Sequence, residues 1–503
     1  MITEVLLAVL VIYILSFTKE AMSKARQFWM IRNLPGPKRP FFIGTFFDMV
    51  ESGHVSMKFL MVEAERLRAQ GEKILVAVCV GRVFTIPLDG DAVKPISNSQ
   101  DEITKGHDYD FLYSWLETGL LISSGAKWRA RRKMLTPMFH LSMLKGYVDK
   151  FNENSKNLVS VMKENFHGKV CDLFPYFKLC TLDIMCDCAM GTKLNSVRDP
   201  ELPYAKNVDL FNKMCYRYSI EFWMWFPVTW FLFYYRKFHS LLKSLKSFSM
   251  DIIVQRHADI KAGKIQYQDG EKKPFLDLVL ELYDKGEMTM DDVREEVDTF
   301  MFAGHDTTAS SIAWFFWCMA TSPKHQELVY EELKEIFGED TERDCTNDDL
   351  AKMELFERCI KESMRLFSTV PLCERKLKND FAFGEHIIPK DSEIFITPMI
   401  IGHNKDVFGE NHWEFDPDRF LPEAVEKRQS HDYIPFSSGP RNCIGQKFAF
   451  LELKMIGSWL LRHYRVETDK KLQDNEWQPE LIMRPKDGCV VRMIPRKTDR
   501  AAA

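Results

Sequence analysis

Excess positive charge, paired cysteines and a nucleotide-binding glycine motif are all missing from this chain of 503 residues. A formal net charge of -4 argues against nucleic acid as a partner. The twelve cysteines are scattered without paired spacing, which suits reduced thiols in a cytosolic environment. Cys186 and Cys188 are close, but no histidine pair accompanies them to complete a zinc site. No Gly-x-Gly-x-x-Gly fingerprint is evident, so the sequence indicates no dinucleotide site of its own.

Uncharged apolar runs are few, and one of them, Val5 to Phe17, stands near the N-terminus. Counted from Ile2, it approaches the lower length limit of a tilted transmembrane helix. Basic residues follow it, beginning with Lys19, which keeps that side cytoplasmic. A cleaved signal peptide has its positive charge first. We therefore predict a single-pass anchor over residues 1–18 and a basic linker with a Pro-Gly hinge over 19–40.

One cysteine lies in an unusual setting, the stretch FSSGPRNCIG at residues 436–445. Its five set positions would match by chance about once in several thousand chains of this length. A cysteine thiolate is soft and anionic, so on a tight glycine-flanked loop Cys443 can reach a haem iron as its axial ligand. The alternative is a buried apolar cysteine, which we expect for the other cysteines.

This stretch resembles the cysteine loop of the haem-thiolate monooxygenases, the cytochromes P-450, and the resemblance extends over nearly the whole chain. It implies a mainly α fold with a minor β region and haem b as cofactor. In that family the phenylalanine packs near the sulfur, the glycines admit backbone N–H groups to it, and the arginine meets a haem propionate. The positions that match these roles are Phe436, Gly439, Arg441 and Gly445. The resemblance implies further propionate contacts at Trp128, Arg132 and Arg375.

A long proline-free segment from Thr289 to Ser322 predicts one helix. It opens with a capping box, Thr289-x-x-Asp292, and ends against Pro323. Oxygen activation needs protons, which a hydroxyl that holds water and a nearby acid can deliver. In the family's pattern Asp306 is the acid and Thr307 the alcohol, while Gly304 leaves room above the haem.

Residues 296–308, EVDTFMFAGHDTT, are similar at every position but one to the helix signature of the fatty-acid ω-hydroxylases, family four of this superfamily. Many members carry glutamate where this chain has Ala303, and that carboxylate forms an ester to a haem methyl group. Alanine cannot form this bond. We therefore predict non-covalent haem and a looser hold on the end of a substrate chain.

Glu362 and Arg365 are three residues apart, which places them on one helical face. In the family Arg419, within FDPDRF, joins them in a structural triad beneath the haem. Two other pairs, Glu63/Arg66 and Glu65/Arg68, have the same spacing, and we interpret both as solvated helix surface.

Without a dinucleotide site, electrons must come from another protein. The resemblance implies an NADPH-dependent flavoprotein reductase, with cytochrome b5 as a second candidate. Basic residues near the expected proximal side could meet an acidic partner or form an ordinary solvated face: Lys127, Arg129, Arg131, Lys133 and Lys447. Predicted substrate-pocket residues are all apolar, which favours a lipid: Phe111, Leu112, Phe302, Ala303, Val370, Leu372 and Ile482.

An uncharged aromatic stretch from Phe222 to Tyr235 is too short to span a bilayer. It could lie in the membrane interface or in the core, and both interpretations stay open.

Together these features predict a single large haem domain over residues 41–497, a tail over 498–503, and an endoplasmic reticulum membrane protein with a cytosolic catalytic domain. The predicted reaction is ω or near-ω hydroxylation of a fatty acid or related lipid. The alternatives are a haem-thiolate lipid peroxide isomerase or dehydratase and a non-catalytic haem-binding protein.

Overall fold

The computed structural model describes residues 18, 21–37, 44–45, 50–51, 54–55, 57–268, 272–478 and 480–496. Over these residues the fold is mainly helical with small sheets, as predicted. The longer helices are α1 (21–31), α2 (Met57–Arg68), α3 (Gly90–Asn98), α4 (Asp110–Leu116), α5 (Gly125–Leu135), α6 (Val148–Phe166), α7 (Phe174–Met185), α8 (Pro203–Ile220), α9 (Tyr235–Lys261), α10 (Phe275–Asp284), α11 (Met290–Thr321), α12 (Pro323–Phe337), α13 (Glu354–Leu366) and α14 (Gln446–His463). Shorter helices span Leu141–Leu144, Pro227–Thr229, Asn347–Lys352, Pro398–Gly402, Lys405–Phe408 and Pro422–Glu426.

The predicted long helix is confirmed as α11, which has 32 residues and is therefore about 48 Å long. Thr289 is its N-cap, and the capping box with Asp292 is formed. Pro323 begins the next helix, so the chain turns at Ser322. Helix α11 packs against α7, α13 and α14, and its aromatic C-terminal half lies in the main core.

The strands form five small sheets among the described residues. They are β1 (Val50–Glu51), β2 (His54–Val55), β3 (Ile74–Cys79), β4 (Arg82–Pro87), β5 (Val170–Asp172), β6 (Cys373–Lys376), β7 (Phe381–Phe383), β8 (His386–Ile388), β9 (Glu393–Ile396), β10 (Tyr464–Glu467), β11 (Trp477–Gln478), β12 (Arg484–Pro485) and β13 (Val490–Pro495). The largest has the order β3-β4-β9-β6, antiparallel except for the parallel pair β4–β9. The others are β10-β13-β5, β1-β2, β7-β8 and β11-β12.

Residues 21–37, most of the predicted linker, lie against the sheet region. Phe28 and Leu34 pack on the apolar cluster behind β3 and β4, and Arg26 pairs with Asp380. At Gly36 an added Cβ would lie 1.9 Å from the Val76 carbonyl oxygen, so glycine permits this close approach. The predicted hinge is therefore clamped to β3.

The predicted anchor over residues 1–18 falls, apart from Thr18, outside the described residues. Within the part of the chain that is described, no helix has the length and apolar character needed to cross a bilayer.

The aromatic stretch from Phe222 to Tyr235 is mostly at the surface. The exposed fractions of its exposed large apolar residues run from 43% for Tyr235 to 73% for Phe233, whereas Met224 is buried and Trp230 packs against Phe111. The core interpretation therefore fails for most of this stretch.

Candidate functional site

The cysteine loop owes its shape to two residues with left-handed backbone conformation, Ser437 (φ 58°) and Gly439 (φ 69°). An added Cβ at Gly439 would lie 2.0 Å from the Ser97 carbonyl oxygen, so a side chain cannot fit there without moving backbone. The N–H of Cys443 donates to the Phe436 carbonyl at 2.9 Å, which closes the loop. Helix α14 begins directly after it, with Gly445 as its N-cap.

Cys443 is the exposed member of the twelve cysteines; nine are buried and two are intermediate. Its thiol is nevertheless closely surrounded by protein. Burial raises its pKa, opposed by a hydrogen bond from the Gly445 N–H and by the Arg132 charge. Helix α14 and the loop therefore present one accessible sulfur beside a backbone donor and a cation.

Four cations form a connected group at this loop, with Arg132 near the sulfur and then Arg441, Arg375 and Lys105. Burial, then Arg375, lowers the pKa of Arg441 to about 9. Burial, then Arg375 and Arg441, holds the pKa of Lys105 well below its ordinary value. Among the described residues no carboxylate lies within 4.0 Å of these four side chains. Like charges that are wholly or partly buried, with no carboxylate this close, indicate a site for an anionic group.

The individual contacts of these cations show that they have different roles. Arg441 donates to the Ser123 carbonyl at 2.9 Å and lies 4.8 Å from the Trp128 ring centroid. Arg375 is buried, and among the described residues its guanidinium has only a 3.4 Å bond to the Glu374 carbonyl. Arg132 donates to the backbone and side-chain oxygens of Asn442, at 2.7 and 2.6 Å, so it braces the cysteine loop. A propionate contact for Arg132 stays a prediction.

Lys105 is a residue that the sequence analysis missed. It lies in the loop before α4, with its ammonium 4.2 Å from the Tyr109 ring centroid. No motif surrounds it, and only its tertiary neighbours Arg375 and Arg441 reveal it.

Helix α11 is buried along most of its length and has accessible surface at one place. From Val293 to Ala320 every residue is buried except Ala303, Gly304 and Thr307. Ala303 and Thr307 are four residues apart and Gly304 and Thr307 three, so the three residues form one accessible stripe. The Thr307 hydroxyl donates to the Ala303 carbonyl at 2.6 Å. A Cβ at Gly304 would lie 1.9 Å from the Met185 side chain of α7, so this glycine also permits close packing of the two helices.

Asp306 is turned about 100° around the axis of α11 from Thr307, toward α7 and α8. Its Oδ1 is 3.3 Å from the Lys178 ammonium, and its Oδ2 accepts from the Asn212 amide at 2.7 Å. Burial opposes ionisation, but Lys178, then His305, outweigh it, so the pKa of Asp306 is below its ordinary value. The predicted acid and alcohol are adjacent in sequence but do not face each other.

Beyond Asp306 the charges continue toward the surface. Lys178 also pairs with Asp209, which lies 3.2 Å from Arg484, and Arg484 pairs with Glu480 at 2.6 Å. The Asp209 side chain is partly exposed. The chain of ion pairs therefore connects the buried helix to solvent.

The segment after α4 connects the cysteine loop to α11. Arg441 bonds the carbonyls of this segment, while the N–H of Leu120 donates to Glu296 of α11 at 3.1 Å. Trp115 packs against Phe302 at 5.3 Å between ring centroids. The cysteine loop and α11 are thus both held to α4 and the residues that follow it.

Glu296 gives this connection a pH dependence. Burial raises its pKa from 4.5 to about 7, with the Leu120 N–H and Arg131 opposing. Because the folded state holds the proton more tightly, its contribution to stability is complete below about pH 4.5 and is lost as pH rises through about 7. Glutamine cannot ionise at this position. In Glu296→Gln we therefore expect no such fall in the free energy of unfolding, which in the unaltered protein amounts to up to about 3 kcal/mol as pH rises. Thermal melts at pH 5 and pH 8 should differ less for the variant, and an equal difference in both proteins would contradict the assignment.

The predicted pocket residues divide by exposure. Ala303, Val370 and Leu372 have accessible surface, whereas Phe111, Leu112, Phe302 and Ile482 are buried. Phe111 packs on aromatic rings of α8 and α9, at 5.4 Å from Phe211 and 4.8 Å from Phe238. These buried residues shape the walls from behind.

The predicted triad is brought together. Arg365 bonds both oxygens of Glu362 at 2.7 Å, and Arg419 lies 3.5 Å from Glu362. The side chains of Glu362 and Arg365 are both 0% exposed. Arg365 also donates to the Gly402 carbonyl at 2.9 Å, so the triad joins α13 to two later segments.

The predicted basic face is only partly free. Lys127 pairs with Asp292 and Glu295 of α11, and Arg131 is buried against Asp292. Arg129 donates to the Gln100 carbonyl. Lys133 and Lys447 remain exposed. Acidic residues on α11 therefore pair with Lys127 and Arg131, which reduces the part of the predicted basic face that is free for a partner protein.

Glu452 on α14 was also missed. It is 0% exposed, and neither carboxyl oxygen has a hydrogen-bond partner within the described part of the chain. Burial raises its pKa well above the ordinary value, with the nearby Thr308 hydroxyl opposing. It places a buried carboxyl group between α14 and α11; a glutamate on a helix gives no sequence signal of such burial.

This donor set suits an iron porphyrin, because a soft sulfur can ligate the iron and unpaired cations can receive the carboxylates. The fold and site therefore define a haem-thiolate protein. The cytochrome P450 family model matches residues 34–492. The chain belongs to the cytochrome P450 family and is a monooxygenase, an oxidoreductase.

Relatives cover nearly its full length. The chain is 37% identical to cytochrome P450 4c3 of Drosophila melanogaster, over 98% of this chain and 95% of that protein. It is 34% identical to cytochrome P450 4V2 of Homo sapiens, over 97% and 94%. It is 35% identical to cytochrome P450 4c21 of Blattella germanica, over 91% and 92%. The resemblance to family four is thus confirmed.

Proposed function

We propose that this protein hydroxylates a fatty acid or related lipid at or near the end of its hydrocarbon chain. The observation that carries the proposal is the narrow accessible stripe of α11, where apolar Ala303 and Gly304 stand beside the Thr307 hydroxyl. This stripe lies inside the signature shared with the ω-hydroxylases. Val370 and Leu372 add apolar surface suited to an alkyl chain.

The chemistry supplied by bound haem is the reductive splitting of O2, with one oxygen atom entering a C–H bond and the other leaving as water. Cys443 would ligate the iron and donate electron density. Lys105, Arg375 and Arg441 would hold the propionates, while Arg132 and Gly445 fix the loop and the sulfur.

Turnover with a lipid panel tests the function. Reconstituted with a flavoprotein reductase, the protein is expected to consume NADPH and to yield terminal or near-terminal alcohols from saturated or polyunsaturated acids. Absence of NADPH consumption with every lipid would refute the monooxygenase proposal. Conversion of lipid peroxides without NADPH would instead support an isomerase or dehydratase.

We also propose non-covalent haem, because Ala303 offers the accessible stripe no carboxylate for an ester. Acidified organic solvent is expected to extract the haem completely. Ala303→Glu is the matched variant, and after turnover it should retain part of its haem on the polypeptide. Haem that remained on the unaltered chain would overturn the proposal.

For proton delivery, Thr307 would hold water on the accessible stripe, and Asp306 would exchange protons with solvent through Lys178 and Asp209. The route requires Asp306 or its side chain's hydrogen-bond partners to rearrange, since its carboxylate is directed away from the stripe. In its present position the Asp306 carboxylate has Lys178 as a defined partner, to which it can return.

Asp306→Asn is therefore expected to lower product formation by about 10²-fold, the contribution of a positioned acid. Thr307→Ala should release more hydrogen peroxide per NADPH, since protons would arrive without a hydroxyl to place them. The measurements are product formed per NADPH and the solvent deuterium isotope effect on turnover. Asp291→Asn, on the exposed first turn of α11, is the matched control and should leave both unchanged. Unaltered kinetics in Asp306→Asn would contradict the proton role.

We further propose attachment to the endoplasmic reticulum membrane, with residues 1–18 as anchor and the exposed apolar group Phe231, Leu232 and Phe233 in the interface. A chain lacking residues 1–18 should still bind vesicles, and serine at these three positions should abolish that binding.

A reductase, with cytochrome b5 as a second donor, would meet exposed Lys133 and Lys447. Salt should then slow NADPH-driven turnover.

A further inference from the structure

A cavity of about 470 Å3 lies apart from the cysteine loop. It opens between α2, the end of α13 and the segment that leads into β11. None of the residues assigned above to haem or substrate lines it. Its volume falls within the range of small-molecule sites. Most of the lining is apolar, chiefly Met61, Leu366, Phe367, Ile400, Trp413 and Trp477.

Arg68 is the notable polar residue of this cavity. Its spacing from Glu65 predicted a solvated surface pair, and that prediction is wrong. Glu65 pairs with Lys405 at 3.1 Å. Arg68 instead donates through Nε to the Leu88 carbonyl at 2.9 Å and through Nη2 to the Ile400 carbonyl at 2.6 Å. Its Nη1 has no hydrogen-bond partner among the described residues.

The charge of Arg68 is not balanced locally. Within the described part of the chain no carboxylate lies within 4.0 Å of its guanidinium. Burial lowers its pKa to about 10, and more distant carboxylates, Asp406 and Asp89 before Glu65, oppose this. A partly desolvated guanidinium without a close counterion favours an anionic partner.

The other charged residues of the lining already have partners. Lys58 pairs with Glu476 at 2.9 Å, and Glu476 also pairs with Lys486. His403 stacks on Trp413, with 3.9 Å between ring centroids, and burial lowers its pKa to about 3, so it is neutral. Arg68 is therefore left as the charge that an incoming anion would meet.

We propose that this cavity is a second binding site, which takes a single-chain fatty acid with its carboxylate on Arg68 and its hydrocarbon chain along the apolar wall. Each buried methylene contributes about 0.8 kcal/mol. The Nη1 group supplies a charge-assisted hydrogen bond to the carboxylate. The site stands independently of the proposed hydroxylation, because it shares no lining residue with the substrate pocket.

Equilibrium dialysis of the full-length holoenzyme with radiolabelled dodecanoate tests the site. An azole that ligates the haem iron first fills the catalytic pocket, so that only other sites bind the probe. We expect one saturable site per chain to remain. Arg68→Met should weaken it about tenfold, the value of one charged hydrogen bond. Dodecanol, which has no carboxylate, should bind more weakly and should not respond to Arg68→Met.

Two further variants keep the test decisive. Arg66→Met, on the same helix but paired with Glu63 at the surface, should bind dodecanoate normally. Met61→Trp fills the cavity and should block binding with Arg68 intact. Melting temperature and the haem spectrum verify that each variant is folded. Absence of saturable binding in the azole complex, or normal binding in both Arg68→Met and Met61→Trp, would overturn the proposal. If dodecanoate hydroxylation failed but this binding persisted, only the proposed function would be in error.

Discussion

Cys443→Ser is expected to abolish the red-shifted Soret band of the reduced carbon monoxide complex and to lower turnover on the order of a thousandfold or more. The loop around this residue has little else to offer an iron: Ser437 and Ser438 have buried hydroxyls, and the Asn442 side chain is held by Arg132. A serine hydroxyl is a harder and more basic donor than a thiolate and cannot donate electron density in the same way. Haem uptake should fall less than turnover, because Lys105, Arg375 and Arg441 are untouched.

Cys79→Ser is the matched control, since Cys79 is a half-buried cysteine in β3. It should retain both the absorbance band and turnover. A variant of Cys443 that kept the red-shifted band in folded, haem-loaded protein would remove the basis for the site assignment.

The cysteine loop and α11 could be predicted because their determinants are local. Gly439 shapes the loop by a backbone conformation, and Thr289 with Pro323 delimits the helix. Each signal lies within a few residues of the feature it specifies. The order of these residues along the chain was therefore sufficient.

The direction of Asp306 could not be predicted in this way. Sequence places it next to Thr307, but its side chain follows Lys178 on α7 and Asn212 on α8. Only the packing of three helices fixes that choice. The same limit explains Lys127, whose partners lie on α11, and Arg68, which leaves its helical neighbour for backbone carbonyls.

Exposure could not be predicted where composition was the only guide. The apolar residues Phe111 and Phe302, which the sequence predicts in the pocket, are buried among other rings. The equally apolar Phe231 and Phe233 lie at the surface. Hydrophobic character does not distinguish core, pocket wall and membrane-facing surface, which depend on the neighbours that tertiary structure supplies.

Glu362→Ala should destabilise the protein by about 3 to 5 kcal/mol, because it leaves Arg365 buried without its carboxylate. Burial raises the pKa of Glu362, with Arg365 the largest opposing cause, so the pair depends on mutual contact. Asp416 and Arg419 would lose a shared acceptor as well. Thermal unfolding and the fraction of chains that retain haem measure the effect.

The chain supplies a matched control in Glu63 and Arg66, which have the same spacing and the same 2.7 Å separation but an exposed arginine. Glu63→Ala should cost about 0.5 kcal/mol or less, since solvent already screens the pair. The double variant Glu362→Ala/Arg365→Ala should be less destabilised than the sum of its single variants, because the second substitution removes the unpaired charge. Equal melting temperatures for Glu362→Ala and Glu63→Ala would show that burial adds nothing to this pair, and the triad would lose its structural role.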